Sequence, residues 1–111
     1  MSEAGFEVIE RDQLPEDELQ GYLHGANVCV IFVDAEPGEG PRLHRHPYEE
    51  IFIVLDGHPR FTVGSQTLEA KAGQVVVVRL GIAHKFVNAG PGRLRQVDIH
   101  ASPRFVTEWL E

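Results

Sequence analysis

Short apolar runs separated by Gly and Pro organise this chain. The run Ile51-Phe52-Ile53-Val54-Leu55 ends on the turn dipeptide Asp56-Gly57. Its β-branched and aromatic residues suit a pleated, largely buried surface. The same reading gives strands over Val28–Glu36, Arg42–His46, Tyr48–Asp56 and Val75–Val78, the last of them buried. It pairs Arg60–Val63 with Gln66–Lys71 around Gly64-Ser65, and His84–Asn88 with Leu94–Ala101 across Ala89-Gly90-Pro91-Gly92, as two hairpins. Glu36-Pro37-Gly38-Glu39-Gly40-Pro41 must turn, because Pro lacks a ladder donor and Gly weakens a strand. Phe6–Glu10 is expected to be an edge strand. Leu14–Gly25 reads as a loop with a short strand around Leu19–Leu23.

The end of the chain has a different pattern. Ser102-Pro103 has the form of a helix N-cap followed by Pro at the first helical position. Phe105, Val106, Trp109 and Leu110 share one helical face, so a short C-terminal helix is expected there. Many short strands at roughly 8–12-residue spacing indicate an all-β sandwich or barrel. Several strands are apolar on both faces, and a small barrel has only one inside. The outer apolar positions then need a cover, which the C-terminal helix and a second copy of the chain would supply. A homodimer is therefore expected, with Phe6–Glu10 available to pair across it.

Composition narrows the function. At 111 residues the chain is one domain, spanning 1–111. Its hydrophobic share of 42% is that of an ordinary globular protein. The net charge of −7 argues against nucleic acid and against anionic membranes as partners, since both call for basic patches. Cys29 is the only cysteine, so no internal disulfide can form, which fits a reducing compartment. Met1–Gly5 has neither a basic nor an apolar leader pattern, and no apolar run is long enough to span a bilayer. A cytoplasmic setting is expected.

The chemistry lies in four residues. His44 and His46 stand at i and i+2, so on a strand both point to one face. Glu50 has the same parity at the head of the next apolar run, and a neighbouring strand can deliver His84. Imidazole and carboxylate together bind divalent first-row transition metals, here one ion of Fe, Mn, Ni or Zn. Glu49 points the opposite way from Glu50, so only one of the two can join. Tyr48, Phe52 and Phe86 continue the inward parity and would wall a pocket for a small molecule. Arg42 shares the parity of His44 and could hold an anionic group at the mouth; Arg60, Arg79 and Lys85 are further candidates for that task. His24, His58 and His100 are expected at the surface or in a second layer, and Cys29 in the core.

Two stretches carry a resemblance. Gly38-(five residues)-His44-Arg45-His46-(three residues)-Glu50-(six residues)-Gly57 resembles the first motif of the cupin superfamily at every defined position. Gly73-(five residues)-Arg79-Leu80-Gly81-(two residues)-His84-(three residues)-Asn88 resembles the second, with Arg79 where the family has Pro. The match is nearest to the small single-domain barrel cupins. It implies an antiparallel jelly-roll barrel of six to eight strands, a metal held by His44, His46, Glu50 and His84, and frequent dimerisation. It also selects Glu50 over Glu49.

Three imidazoles and one carboxylate around a divalent ion leave a formal charge near +1, which favours anionic oxygen ligands. Four protein ligands on an ion that accepts six leave two positions open. Iron with such positions suits dioxygenase chemistry on a small anionic or aromatic molecule, the leading expectation. A redox-inert ion would instead polarise a carbonyl, as an isomerase, epimerase or decarboxylase requires. The third reading is a non-enzymatic binding or sensor module.

Overall fold

A computed structural model describes residues 5–111. Ten strands form two five-stranded sheets. The first sheet runs β1 (Glu18–Gln20), β2 (Cys29–Ala35), β9 (Leu94–His100), β4 (Glu50–Asp56), β7 (Val75–Val78). The second runs β10 (Glu108–Trp109), β3 (His44–Arg45), β8 (His84–Asn88), β5 (Pro59–Val63), β6 (Gln66–Glu69). Every pairing is antiparallel. The two sheets face each other as a jelly roll.

Alternation places the core. Along β4, Glu50, Phe52 and Val54 are buried while Ile51 and Ile53 are half-buried on the outer side. Strand β8 buries His84, Phe86 and Asn88, and β9 buries Leu94, Gln96, Asp98 and His100. Phe52, Phe61, Phe86, Val54, Val78 and Leu94 meet between the sheets, with Phe52 edge-on to Phe61 at 5.0 Å. One end of the barrel interior is therefore apolar. The other end is lined by polar residues from the same strand parity.

The two motif stretches are joined directly. Gly38 N–H donates to the Asn88 carbonyl, and Asn88 N–H donates to that of Glu39, each at 2.9 Å. Buried Asn88 also donates to the carbonyls of Ala35 (3.0 Å) and Gly92 (2.8 Å) and accepts from Gly90 N–H at 3.1 Å. Gly57 has φ of +95°, and a Cβ there would lie 2.6 Å from the Arg93 carbonyl oxygen. Only glycine fits that turn.

Several expectations need correction. There is no C-terminal helix: Ser102–Arg104 is a bend, and β10 pairs with β3 through Glu108↔Arg45 and Trp109↔His44. The Ser102 hydroxyl donates to the Arg104 carbonyl (2.7 Å) and accepts from its N–H (3.3 Å), closing a turn instead of capping a helix. Phe6–Glu10 forms no strand, and Leu19–Leu23 divides between the end of β1 and a 3-10 turn over Gly21–Leu23. β8 and β9 are not a hairpin; they lie in opposite sheets, because Ala89–Arg93 crosses from one to the other. In edge strand β7 only Val78 is buried, while Val75 and Val77 are more than half exposed.

Candidate metal centre

Strand parity and register assemble the site. His44 lies directly across from His84 on β8, and Glu50 across from His100 on β9. His44, His46, Glu50 and His84 are all buried, with donor atoms within 4.8 Å of one another.

Each histidine is held by a backbone carbonyl. The Nδ1 of His44 donates to the Arg42 carbonyl (2.6 Å), that of His84 to Ile82 (2.9 Å) and that of His46 to Val106 (2.9 Å). A carbonyl can only accept, so the proton sits on Nδ1 and the Nε2 lone pair faces inward in each neutral ring. Such fixing of the tautomer by a partner of the outer nitrogen typifies metal-ligating histidines. Glu50 Oε1 lies 3.1 Å from both His46 Nε2 and His84 Nε2. The His46 contact is poorly aligned, and its buried Nε2 has no hydrogen-bond partner. Three inward lone pairs, one of them orphaned, beside a buried carboxylate form a donor set that fits a divalent transition ion. Burial alone would not allow such a set, because lone pairs and a carboxylate repel unless protons or a cation lie between them.

Electrostatics agree. Burial works against ionisation of Glu50, but contacts with His100, His46 and His84 outweigh it and hold the carboxyl far below its usual range. Burial works to lower His84, yet its bonds to Glu50 and to the Ile82 carbonyl raise it on balance. His44 is lowered, chiefly by burial.

The cluster opens on a cavity of about 450 Å³. Ile31, Val33, Phe52 and Phe86 give it apolar walls, and Phe105, Thr107 and Trp109 reach it from the chain's last segment. Those three alternate at period two, which is why the helical reading of this segment failed: the helical face mixed Phe105 and Trp109, which line the cavity, with Val106 and Leu110, which do not. Asp98 also lines the cavity and is 3% exposed. Burial, then the charge of Glu50, raises it well above the ordinary carboxylate value, against a 2.9 Å bond from Gln96 Nε2.

The remaining candidates separate. Phe52 and Phe86 line the cavity. Tyr48 is buried beside it, its ring stacked on His46 at 4.9 Å. Arg42 lies outside, its guanidinium 4.8 Å over the Trp109 ring. Arg60 and Lys85 pair with Glu69 and Glu111 on the outer surface, and Arg79 is exposed in the turn before His84. Glu49 is exposed, Cys29 is buried, His58 is exposed and His24 bonds Glu7. His100 takes the second-layer place expected of it, behind Glu50. It is 4% exposed, with Nε2 3.0 Å from Glu50 Oε2 and Nδ1 2.7 Å from the Tyr48 hydroxyl. Arg95 carried the missed signal: a charged residue facing out fixes Gln96, Asp98 and His100 as inward.

The family model for the cupin domain (Cupin_2) matches residues 31–100, from β2 through the end of β9. The chain belongs to the cupin family. Among curated proteins it is 33% identical over 108 residues to the HTH-type transcriptional regulator PuuR of Escherichia coli, covering 88% of this chain and 58% of that one. The cupin chain thus spans little more than half the length of that relative. A Klebsiella pneumoniae protein with a double-stranded β-helix domain superposes with a TM-score of 0.70 at 24% identity, over 77% of this chain and 76% of that one. Oxalate decarboxylase from Bacillus subtilis superposes with a TM-score of 0.69 at 27% identity, over 76% of this chain and 24% of that one. A second structure of that enzyme, concerned with its Mn(II) centres, gives 0.76 at 24% identity over 84% of this chain and 27% of that one. No helix among the described residues is long and apolar enough to cross a membrane.

Proposed function

We propose that this cupin is a metal-dependent enzyme acting on a small organic anion. His44, His46, Glu50 and His84 would hold one divalent ion. The observation that carries the reading is the locking of three Nδ1 atoms by carbonyls, which leaves three Nε2 lone pairs and one carboxylate oxygen turned towards one another, with His44, His46 and Glu50 on the cavity wall. When bound, the ion supplies Lewis-acid polarisation or, if it is iron, oxygen chemistry. The protein's own residues do the rest. Apolar walls exclude water, and no Lys or Arg is among the residues that line the cavity, so attraction of an anion would fall to the ion.

Dioxygenase chemistry was the leading expectation. Asp98 gives weight to the oxygen-independent alternative. A buried carboxyl whose surroundings favour its protonated form, set in the cavity wall, could donate a proton to a carbanion as a decarboxylase or isomerase needs. The oxalate decarboxylase likeness supports the same side. Loading the protein separately with Fe(II) and Mn(II), then following a panel of dicarboxylates and 2-oxo acids by mass spectrometry with and without oxygen, separates the two. Turnover without oxygen supports Asp98 chemistry; strictly oxygen-dependent turnover supports the dioxygenase.

The PuuR likeness favours a second reading, in which the barrel binds a small molecule as a sensor. Saturable ligand binding with no product under either atmosphere would support it and overturn the enzyme. A homodimer is also proposed. The outer face of the first sheet carries half-buried Val30, Phe32, Ile51, Ile53, Val97 and Ile99 beside exposed Val75 and Val77. Light scattering reporting one chain's mass at micromolar concentration would rule it out. The cytoplasmic setting stays a proposal, which fractionation of native cells would decide.

A further inference from the structure

We infer that His100, oriented by Tyr48, occupies one oxygen of Glu50 and so confines the carboxylate to a single metal-facing oxygen. The inference rests on the proposed metal site. It assigns a positioning role to two residues outside the ligand set.

The hydrogen bonds have one consistent direction. Val106 N–H lies 3.3 Å from the Tyr48 hydroxyl oxygen and can only donate to it. That hydroxyl then donates its own proton to His100 Nδ1, 2.7 Å away. With Nδ1 accepting, neutral His100 carries its proton on Nε2, which donates to Glu50 Oε2 at 3.0 Å. The reverse direction would set the Nε2 lone pair against the carboxylate. The three side chains are removed from bulk water: Tyr48 is 8% exposed, His100 4% and Glu50 3%. Phe105 packs edge-on against the His100 ring at 5.0 Å, so the ring cannot swing away.

Glu50 is thereby divided. Oε2 is committed to His100, while Oε1 stands 3.1 Å from the Nε2 atoms of both His46 and His84. A carboxylate free to rotate could chelate a divalent ion with both oxygens. One held by a donor on Oε2 offers Oε1 alone. The consequence concerns the ligand. A one-oxygen Glu50 leaves a six-coordinate ion with two positions for outside donors, enough for a substrate that binds through two oxygens. A chelating Glu50 leaves one.

Water-proton relaxivity of the Mn(II)-loaded protein counts exchangeable waters on the ion without any assay of turnover. Wild type, H100F, H100Q and Y48F would be compared, with circular dichroism confirming that each is folded. The Gln side chain can present an N–H where His100 Nε2 stands, so H100Q is expected to match wild type. H100F frees Oε2, and relaxivity per bound ion is expected to fall about twofold as one of two waters is displaced from an octahedral ion. Loss of an outer partner of this kind also weakens metal binding by about 10–100-fold. Y48F, which lets His100 change tautomer, is expected to shift in the direction of H100F. Equal relaxivity in folded H100F and wild type overturns the inference. So does a relaxivity of folded H100Q about half that of wild type, a readout that needs no folded H100F. Wild type that binds no Mn(II) overturns the metal site itself, a separate outcome.

Discussion

The thermal stability of this protein should depend on metal and pH together, and the two should reinforce each other. The perturbation is a comparison of chelator-treated protein with protein at one fixed Mn(II) concentration, about a hundredfold above its Kd at pH 7.5, measured at pH 5.5 and pH 7.5. At pH 7.5 an ion that binds only the folded state adds about 2.7 kcal/mol. For a domain of this size that is roughly 10–20 °C in Tm. Protons compete with the ion for the Nε2 lone pairs, so affinity must rise as pH rises through the imidazole range. His84, raised above its ordinary value, accounts for a loss of about tenfold or more at pH 5.5, or at least about 1.4 kcal/mol. His44, lowered by burial, contributes less. The metal-free protein changes in the opposite sense. A histidine whose folded pKa is raised contributes stability that is present below the unfolded value and is lost as pH rises through the folded one. Glu50, depressed, contributes stability that persists above the ordinary carboxylate range and disappears only in acid. The metal-free Glu50–His84 pair is therefore strongest between about pH 4.5 and 6.5 and weakens above. The Tm gap between the two forms should widen from both sides as pH increases. Differential scanning calorimetry measures it. A gap that is absent at pH 7.5, or larger at pH 5.5, refutes the assignment of His84 as a ligand.

Three further outcomes can be measured. Asn88→Ala removes three hydrogen bonds from a buried site; urea unfolding should show a loss of about 2–4 kcal/mol. Gly57→Ala forces a Cβ against the Arg93 carbonyl at positive φ, and should cost about 1–3 kcal/mol by the same assay, with an unchanged midpoint arguing against the turn geometry. Truncation before Phe105 removes the Val106 carbonyl from His46 along with Trp109 from the cavity wall. It should lower metal affinity about 10–100-fold by calorimetric titration while the β-rich circular dichroism persists.

Much of the site was legible because strand parity is a strict rule. His44, His46 and Glu50 share parity, and the resemblance of the Gly73–Asn88 stretch to the second cupin motif added His84. What escaped depended on pairing between distant segments. Apolar residues usually fill a core, but Val97 and Ile99 of β9 do not. Here they face outward beside Ile51 and Ile53, while Asp98 and His100 face the cavity. The last segment misled for a related reason. Ser102-Pro103 is a good helix start locally, but pairing with β3 and filling the cavity mouth with Phe105 and Trp109 outweighed that preference. Arg42 has the right parity, yet Trp109 gave its guanidinium an aromatic face outside the barrel.

His44 and His84 are each steadied by a carbonyl two residues away, so those bonds form as soon as their own strands do. His46 waits for Val106, sixty positions further on. The order of assembly follows from this. A barrel whose sheets have closed but whose final segment has not docked would present two ligands correctly aimed and one still turning. Full-strength metal capture would then wait on the docking of the segment that carries Val106.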